Sequence, residues 1–535
     1  MKKINTLLAF LLLLGTLQLQ GQRYLTEVFD EVTVTTDQTY GVNATALLVT
    51  IAGQALPEEL KFDFYEPTED TEGERPLVIL FHTGNFLPIQ LNRSVLGSRT
   101  DSTVVEVATR LARMGYVVAS VDYRLGWMPE AETQPERALG LIQAAYRGIQ
   151  DGRTAIRYFK KTYAEEDNPW GVDTTRIAAW GIGTGGYISL GLAYFDKYNE
   201  VITTQFPQGK FLTDLDGDPS TLEPMVIQAI NGDPEAKTVG IMPDPPLPPF
   251  PAGDTLCYPN HVEYSSEFHL CVNQGGALGD LSWLEEGDMP AITFQVPTDP
   301  FAPYESAVLI VPTTGDPIVE VQGSKLVAEK SNEFGNNDIL GTFPDLDSDP
   351  YTIAAKAAAM EVGHDYYEGL YPFIRPTNEF GNEEGDPWTW WEPSAWDTIP
   401  HPDGGTFHTN ALEDNADMSP EKARMYIDTI MGYFAPRAYM ALNLMTTSTE
   451  EVLTESDVQV DVAPNPATSA VIIRTDAENK MLAVELLDLN GQVVTTLNGI
   501  DNNEVHINRN NLPAGIYLAK LRFEQGVLTK KIVFK

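Results

Sequence analysis

In the stretch Ile177-Ala178-Ala179-Trp180-Gly181-Ile182-Gly183-Thr184-Gly185-Gly186-Tyr187, four glycines crowd around one hydroxyl residue. The apolar start reads as a short buried strand, the glycines as a sharp turn, and Ile188, Leu190 and Leu192 as the helix that follows. A hydroxyl displayed on such a turn is a nucleophile when a histidine and a carboxylate stand behind it. The centre of the turn is Gly183, which has no side chain, and the neighbouring hydroxyl is Thr184. Other chemistry is less well supplied. Asp214, Asp216 and Asp218, and again Asp345, Asp347 and Asp349, offer oxygens to calcium, but neither triplet is followed by the glutamate that closes an EF-hand loop. Both triplets are read as solvated acidic loops, and no metal or other cofactor is expected. Cys257 and Cys271 are too few for a disulfide scaffold; an oxidising compartment would let them pair, and a buried free thiol at Cys271 is equally natural.

The surrounding chain alternates strands and helices. Runs such as Val32-Thr33-Val34-Thr35 and Leu60-Lys61-Phe62-Asp63-Phe64 fit leading antiparallel strands. Pro76-Leu77-Val78-Ile79-Leu80-Phe81 is uniformly apolar, as a strand buried on both faces would be, and it empties into His82-Thr83-Gly84-Asn85-Phe86. A helix over 104–114, a strand over 116–121 leading into Asp122-Tyr123-Arg124-Leu125-Gly126, and a helix over 144–163 come next. Residues 199–265, with the proline-rich run 243–251, lose periodicity and read as an insertion capping the sheet's C-terminal edge. Strands over 268–273 and 291–296 follow, the second ending in Pro297-Thr298-Asp299-Pro300. A helix from Ser419 to about Tyr433 closes the domain, its start marked by an N-cap serine and Pro420.

The glycine turn, the His82-Thr83-Gly84-Asn85 turn and the order of these pieces resemble the carboxylesterase and acetyl-esterase side of the α/β-hydrolase superfamily. The resemblance implies a mostly parallel sheet with helices on both faces. It makes 177–187 the nucleophile elbow, with Gly183 where Gly-x-Ser-x-Gly has its serine. It makes Gly84 and Asn85 the oxyanion turn, although Thr83 and Asn85 replace glycines of the His-Gly-Gly-Gly pattern, and it gives Thr184 a backbone N–H in the same hole. Asp299 fits the triad acid, and Asp299 alternatively only organises an Asp-Pro turn. His408, ahead of the last helix, is the first candidate for the histidine, with His401 second and His364 third. Trp388, Trp390, Trp391 and Trp396 either line an aromatic or carbohydrate-facing cleft or pack a long loop. The expectation is an esterase-like relative without ordinary serine-esterase activity that binds a small-molecule or ester-like ligand in the retained pocket. The alternative is a carboxylic-ester hydrolase using a non-standard nucleophile or an activated water. On this reading Gly183→Ser should restore a nucleophile.

The ends of the chain concern export. Lys2, Lys3 and an apolar run from Leu7 read as a signal peptide over 1–21, so the hydrolase-like domain spans 22–445. The net charge of −41 argues against nucleic acid and anionic membrane surfaces as partners, and the mature chain has no stretch that could span a bilayer. A polar linker over 446–457 leads into short strands over 458–535, which suggest a small β-sandwich. The landmarks Ala463-Pro464-Asn465-Pro466, Asp488-Leu489-Asn490-Gly491 and Leu512-Pro513-Ala514-Gly515-Ile516-Tyr517 resemble the type A C-terminal sorting domain of the Bacteroidetes type IX secretion system. That resemblance implies the type IX machinery as a partner and a secreted or cell-surface location reached through the periplasm.

Overall fold

A computed structural model describes residues 23–215, 218, 220–310, 315–444, 453, 458–476, 479–487, 493–510, 512–523 and 526–535. The signal peptide, nearly all of the 446–457 linker, the Asp488-Leu489-Asn490-Gly491 landmark and Asp216 lie outside the described residues. Contacts divide the chain into two compact units, Met1–Leu444 and Met445–Lys535.

The first unit is built on strands β1 (Val32–Thr45), β2 (Leu56–Pro67), β3 (Arg75–Phe81), β4 (Val117–Val121), β5 (Val172–Ile182), β6 (Leu270–Gln274), β7 (Ala291–Gln295) and β8 (Leu370–Pro372). Among the described residues they form one sheet in the order β1-β2-β4-β3-β5-β6-β7-β8. Only β2 runs against its neighbours. That mostly parallel arrangement with an antiparallel second strand is an α/β-hydrolase sheet. Alternate residues of β3 enter different cores: Leu77, Ile79 and Phe81 pack with Ile156, Phe159 and Ile188, whereas Val78 and Leu80 pack with Val107, Leu111 and Ile430. Helices therefore cover both faces, with α1 (Ser102–Arg113) and α7 (Pro420–Ala441) on one and α2 (Gln134–Glu165) and α3 (Thr184–Tyr194) on the other. Between these lie α4 (Ser324–Glu333), α5 (Pro350–Glu361) and α6 (Phe407–Asp414).

Two helices outrun their sequence boundaries. α2 begins ten residues before the expected Ala144, at a capping box in which Thr133 accepts from the Glu136 N–H and the Glu136 side chain takes the Thr133 N–H. α7 continues through Pro436 to Ala441, and buried Ala435, Ala438 and Tyr439 hold its last turns against the sheet. The 199–265 segment anchors along α2: Tyr146 Oη donates to the Gly232 carbonyl, Gln150 Nε2 to those of Asn231 and Asp233, and Arg157 Nε to that of Asn260. Cys257 and Cys271 are both free and buried.

The second unit is all-β. One sheet joins β9 (Val460–Ala463), β10 (Ala470–Thr475) and β13 (Glu504–Asn508), and another joins β11 (Met481–Leu487), β12 (Val493–Asn502), β14 (Gly515–Phe523) and β15 (Gly526–Phe534). All of its paired strands are antiparallel. Val471, Ile473, Met481, Val484, Leu521 and Ile532 form its core.

Candidate functional site

β5 runs into the turn and α3 leaves it, so Gly183 is the N-cap of α3, with φ 55° and ψ −116°. The turn packs tightly enough that a Cβ on Gly185 would lie 2.2 Å from the Phe81 carbonyl oxygen. Its backbone is tied to β6, where the Gln274 carbonyl accepts the Gly183 N–H at 2.7 Å. The neighbouring turn after β3 is held by Tyr123, whose hydroxyl donates to the His82 carbonyl at 2.9 Å and whose ring stacks on the buried His82 imidazole. Arg124, next in the chain, is fully buried and paired with Asp151 of α2 at 2.9 Å, with its own N–H on the same carboxylate. The Asp122-Tyr123-Arg124 stretch thus serves as scaffolding that locks the first turn to a helix.

The structure brings together Gly183, Thr184, Gly84, Asn85 and Asp299, all of which line one cleft of about 530 Å³. Thr83 occupies the space above Gly183: an ideal Cβ on Gly183 would lie 2.3 Å from Thr83 Oγ1 and 2.9 Å from its Cβ. One N–H of each turn points at a hydroxyl of the protein itself. The Asn85 N–H donates to Thr184 Oγ1 at 2.8 Å, and the Thr184 N–H makes a longer bond of 3.4 Å to Thr83 Oγ1.

Asp299 follows β7, as expected, but its carboxylate accepts from Gln295 Nε2 at 2.8 Å and from the Phe301 and Ala302 N–H groups at 2.8 and 3.2 Å. Among the described residues no histidine bonds it. A Cβ on Gly385 would come within 2.4 Å of Asp299 Oδ1, so the 385–389 loop lies directly against this carboxylate. His408, on α6, accepts from Trp391 Nε1 at 3.0 Å through Nδ1 and is not among the cleft's lining residues. His401 lines the cleft, with its ring nitrogens at the Arg93 carbonyl and the Asp403 N–H. His364 bonds the Tyr304 hydroxyl at 2.7 Å and lies outside the cleft. Trp388 and Trp391 line the cleft, while Trp390 lies under the Arg424 guanidinium and Trp396 packs on Phe407. The cleft walls come largely from 83–96 and 385–415 and, among the described residues, include none of the 199–265 segment.

One group in the cleft carries no sequence motif. Asp386 sits beside Asp299, and burial together with the charges of Asp299 and Glu384 pushes its carboxyl up to about 8 against a weaker pull from Thr389. Burial raises Asp299 to about 7. Both folded values exceed the unfolded ones, so the folded chain keeps protons that the unfolded chain releases. The stability this contributes is complete below about pH 4 and is lost as pH rises through about 7 to 8. Asp386→Asn should therefore flatten the fall in Tm between about pH 5 and 9 and leave the variant more stable than wild type at about pH 9. Parallel thermal melts across that range check it, and a fall in Tm that Asp386→Asn leaves unchanged would count against the carboxyl pair.

A second, apolar cavity of about 410 Å³ abuts the cleft and, among the described residues, has no charged wall. Ile149 of α2, Phe195 after α3, Phe211 and Val226 of the 199–265 segment, and Val319 of a hairpin formed by Ser306–Ile310 and Pro317–Gly323 are among its walls.

Residues 461–535 match the secretion system C-terminal sorting domain. The chain is therefore that of an exported protein, secreted or at the cell surface, and no helix among the described residues is long and apolar enough to cross a membrane. No curated protein matches the chain. Solved structures with similarity include a bacterial heroin esterase, 25% identical over 31% of this chain and 39% of that one, with a TM-score of 0.19. A hyperthermophilic esterase from the archaeon Pyrobaculum calidifontis is 27% identical over 32% of this chain and 41% of its own, with a TM-score of 0.20. Propionate-bound esterase 2 of the planctomycete Thermogutta terrifontis is 14% identical over 64% and 84%, with a TM-score of 0.28. The strand order, with the turn after β5, defines the α/β-hydrolase fold independently of them.

Proposed function

We propose that this exported esterase-like protein is a noncatalytic binder that keeps the hydrolase pocket for a small ligand. The observation that carries the reading is Thr83. Its side chain stands where a residue at 183 would place its own, and its hydroxyl is the acceptor for the Thr184 N–H. Thr184 Oγ1 takes the Asn85 N–H in turn. An oxyanion hole works by aiming unspent donors at developing charge, and the Asn85 and Thr184 donors of this one have internal acceptors. The missing serine compounds that loss, since deleting the nucleophile of a serine hydrolase such as subtilisin lowers turnover roughly a million-fold.

The second reading, an ester hydrolase working through an activated water, is favoured by the Asp299 and Asp386 carboxyls, which burial holds in the range useful to a general base. The two readings part in one experiment. Wild-type protein should stay unlabelled by a fluorophosphonate and hydrolyse a short-chain aryl ester no faster than buffer. Hydrolysis that rises through about pH 7 to 8 and disappears in Asp386→Asn would establish the water mechanism, and labelling would reveal an unrecognised nucleophile.

A further inference from the structure

The cleft and the apolar cavity share Asn85, Trp127, Thr184, Tyr187 and Phe301 as walls, so they meet beside the glycine turn. A single ligand can place an arm in one and a head in the other. The cavity, without a charged wall among the described residues, selects an apolar arm.

The head is selected by what the cleft offers. Its ionisable carboxyls are Asp299, Asp386, Asp403 and Asp414, set against Arg93. Arg93 already pairs with Glu130 and Asp403. Among the described residues of the cleft, no unpaired cation stands ready to receive a carboxylate or phosphate head. Two residues of the cleft wall carry buried donors that lack acceptors. Among the described residues, Gln274 Nε2 and Trp388 Nε1 are buried without a partner, on side chains 0% and 1% exposed that both line the cleft. Trp180 Nε1 donates to Gln274 Oε1 at 3.1 Å, which leaves the amide's NH₂ as the end still to be satisfied. Buried donors left unpaired cost about 1–3 kcal/mol each, so a head that accepts from them gains affinity. An ammonium head cannot accept, an anion accepts but meets no free cation among the described residues, and a hydroxyl both donates and accepts. The indoles of Trp127, Trp388 and Trp391 add flat apolar faces to the same walls.

Resting on the reading of this unit as a noncatalytic binder, we propose that the site takes an uncharged polyhydroxylated ring bearing an apolar arm, an alkyl or acyl glycoside, with the ring in the cleft and the arm in the cavity. The probe is octyl glucoside below its micellar concentration, titrated calorimetrically into the full exported chain. The comparators keep the same arm: octanoate, octyltrimethylammonium and octyl triethylene glycol ether. Octyl glucoside should bind roughly tenfold or more tighter than each of them, the ratio set by one or two satisfied buried donors. Ile318→Trp, which fills the cavity from the partly buried strand of the hairpin, should weaken octyl glucoside by a similar factor and leave the Tm unchanged. Equal or tighter binding of any comparator, or no binding of octyl glucoside to folded wild-type protein, overturns the proposal. Fluorophosphonate labelling of the same preparation is scored separately, because it tests the noncatalytic reading and is independent of which head binds.

Discussion

Gly183→Ser by itself should lower stability and leave the protein unlabelled by fluorophosphonate. The sequence resemblance leads to the opposite expectation, and the reason for the reversal is steric. A Cβ at 183 would meet Thr83 at both Oγ1 (2.3 Å) and Cβ (2.9 Å), so rotating the Thr83 hydroxyl away does not clear the space. Overpacking of this kind costs roughly 1–3 kcal/mol, and a side chain at φ 55°, ψ −116° adds backbone strain. Thr83→Gly removes both contacts, so Thr83→Gly/Gly183→Ser should regain most of the lost stability, with a coupling of about 1 kcal/mol or more between the two sites in a thermal or denaturant double-mutant cycle. The double variant should remain unlabelled as well. Its serine would face an Asp299 carboxylate already satisfied by Gln295 and two backbone N–H groups, with no imidazole bonded to it among the described residues. A hydroxyl without a base is a weak nucleophile. A single variant as stable as wild type would refute the steric role of Thr83. Rapid labelling of the double variant would refute the absence of a base and make His401, which lines the cleft, the histidine to remove next.

How far the sequence reaches follows from the range of the interactions involved. The apolar run of β3 and the glycine spacing after β5 are local signals, and each lies within the element it announces. The start of α2 is equally local: Thr133, Pro135 and Glu136 spell a capping box, which an apolar stripe followed only back to Ala144 does not include. α7 ends beyond its expected place because burial of the turns that follow Pro436 outweighs the hydrogen bond lost there. The site is different in kind. Thr83 and Gly183 stand far apart in the chain, and nothing in either segment states that one side chain fills the other's space. Asp386 carries no motif; it matters because Gly385 lets its loop close onto Asp299. A place before the last helix is what recommends His408, and α6 turns that imidazole to Trp391 instead. Pairing of the cysteines is a question of distance that spacing cannot answer.

Removing residues 458–535 should stop export while leaving the first unit folded. Among the described residues, the four hydrophobic clusters of that unit draw on no residue beyond Leu444, and the core of the second draws only on Leu453 and later residues, so the deletion removes nearly all of one cluster and opens none of the others. The match to the secretion system C-terminal sorting domain covers 461–535, nearly the whole of what is removed. The truncated chain should therefore accumulate in the periplasm with the near-ultraviolet signal and cooperative melt expected from the buried Trp180 and Trp388, and nearly none of it should reach the medium or become accessible to protease added to intact cells. Folding and location are read on the same sample, which separates a sorting defect from a misfolded, degraded chain. Normal delivery of the truncated protein to the surface or medium would show that the β-sandwich is not the export signal. A folded truncation held in the periplasm, together with export of an unrelated periplasmic protein once 446–535 is fused to its C-terminus, would establish that the second unit carries the address.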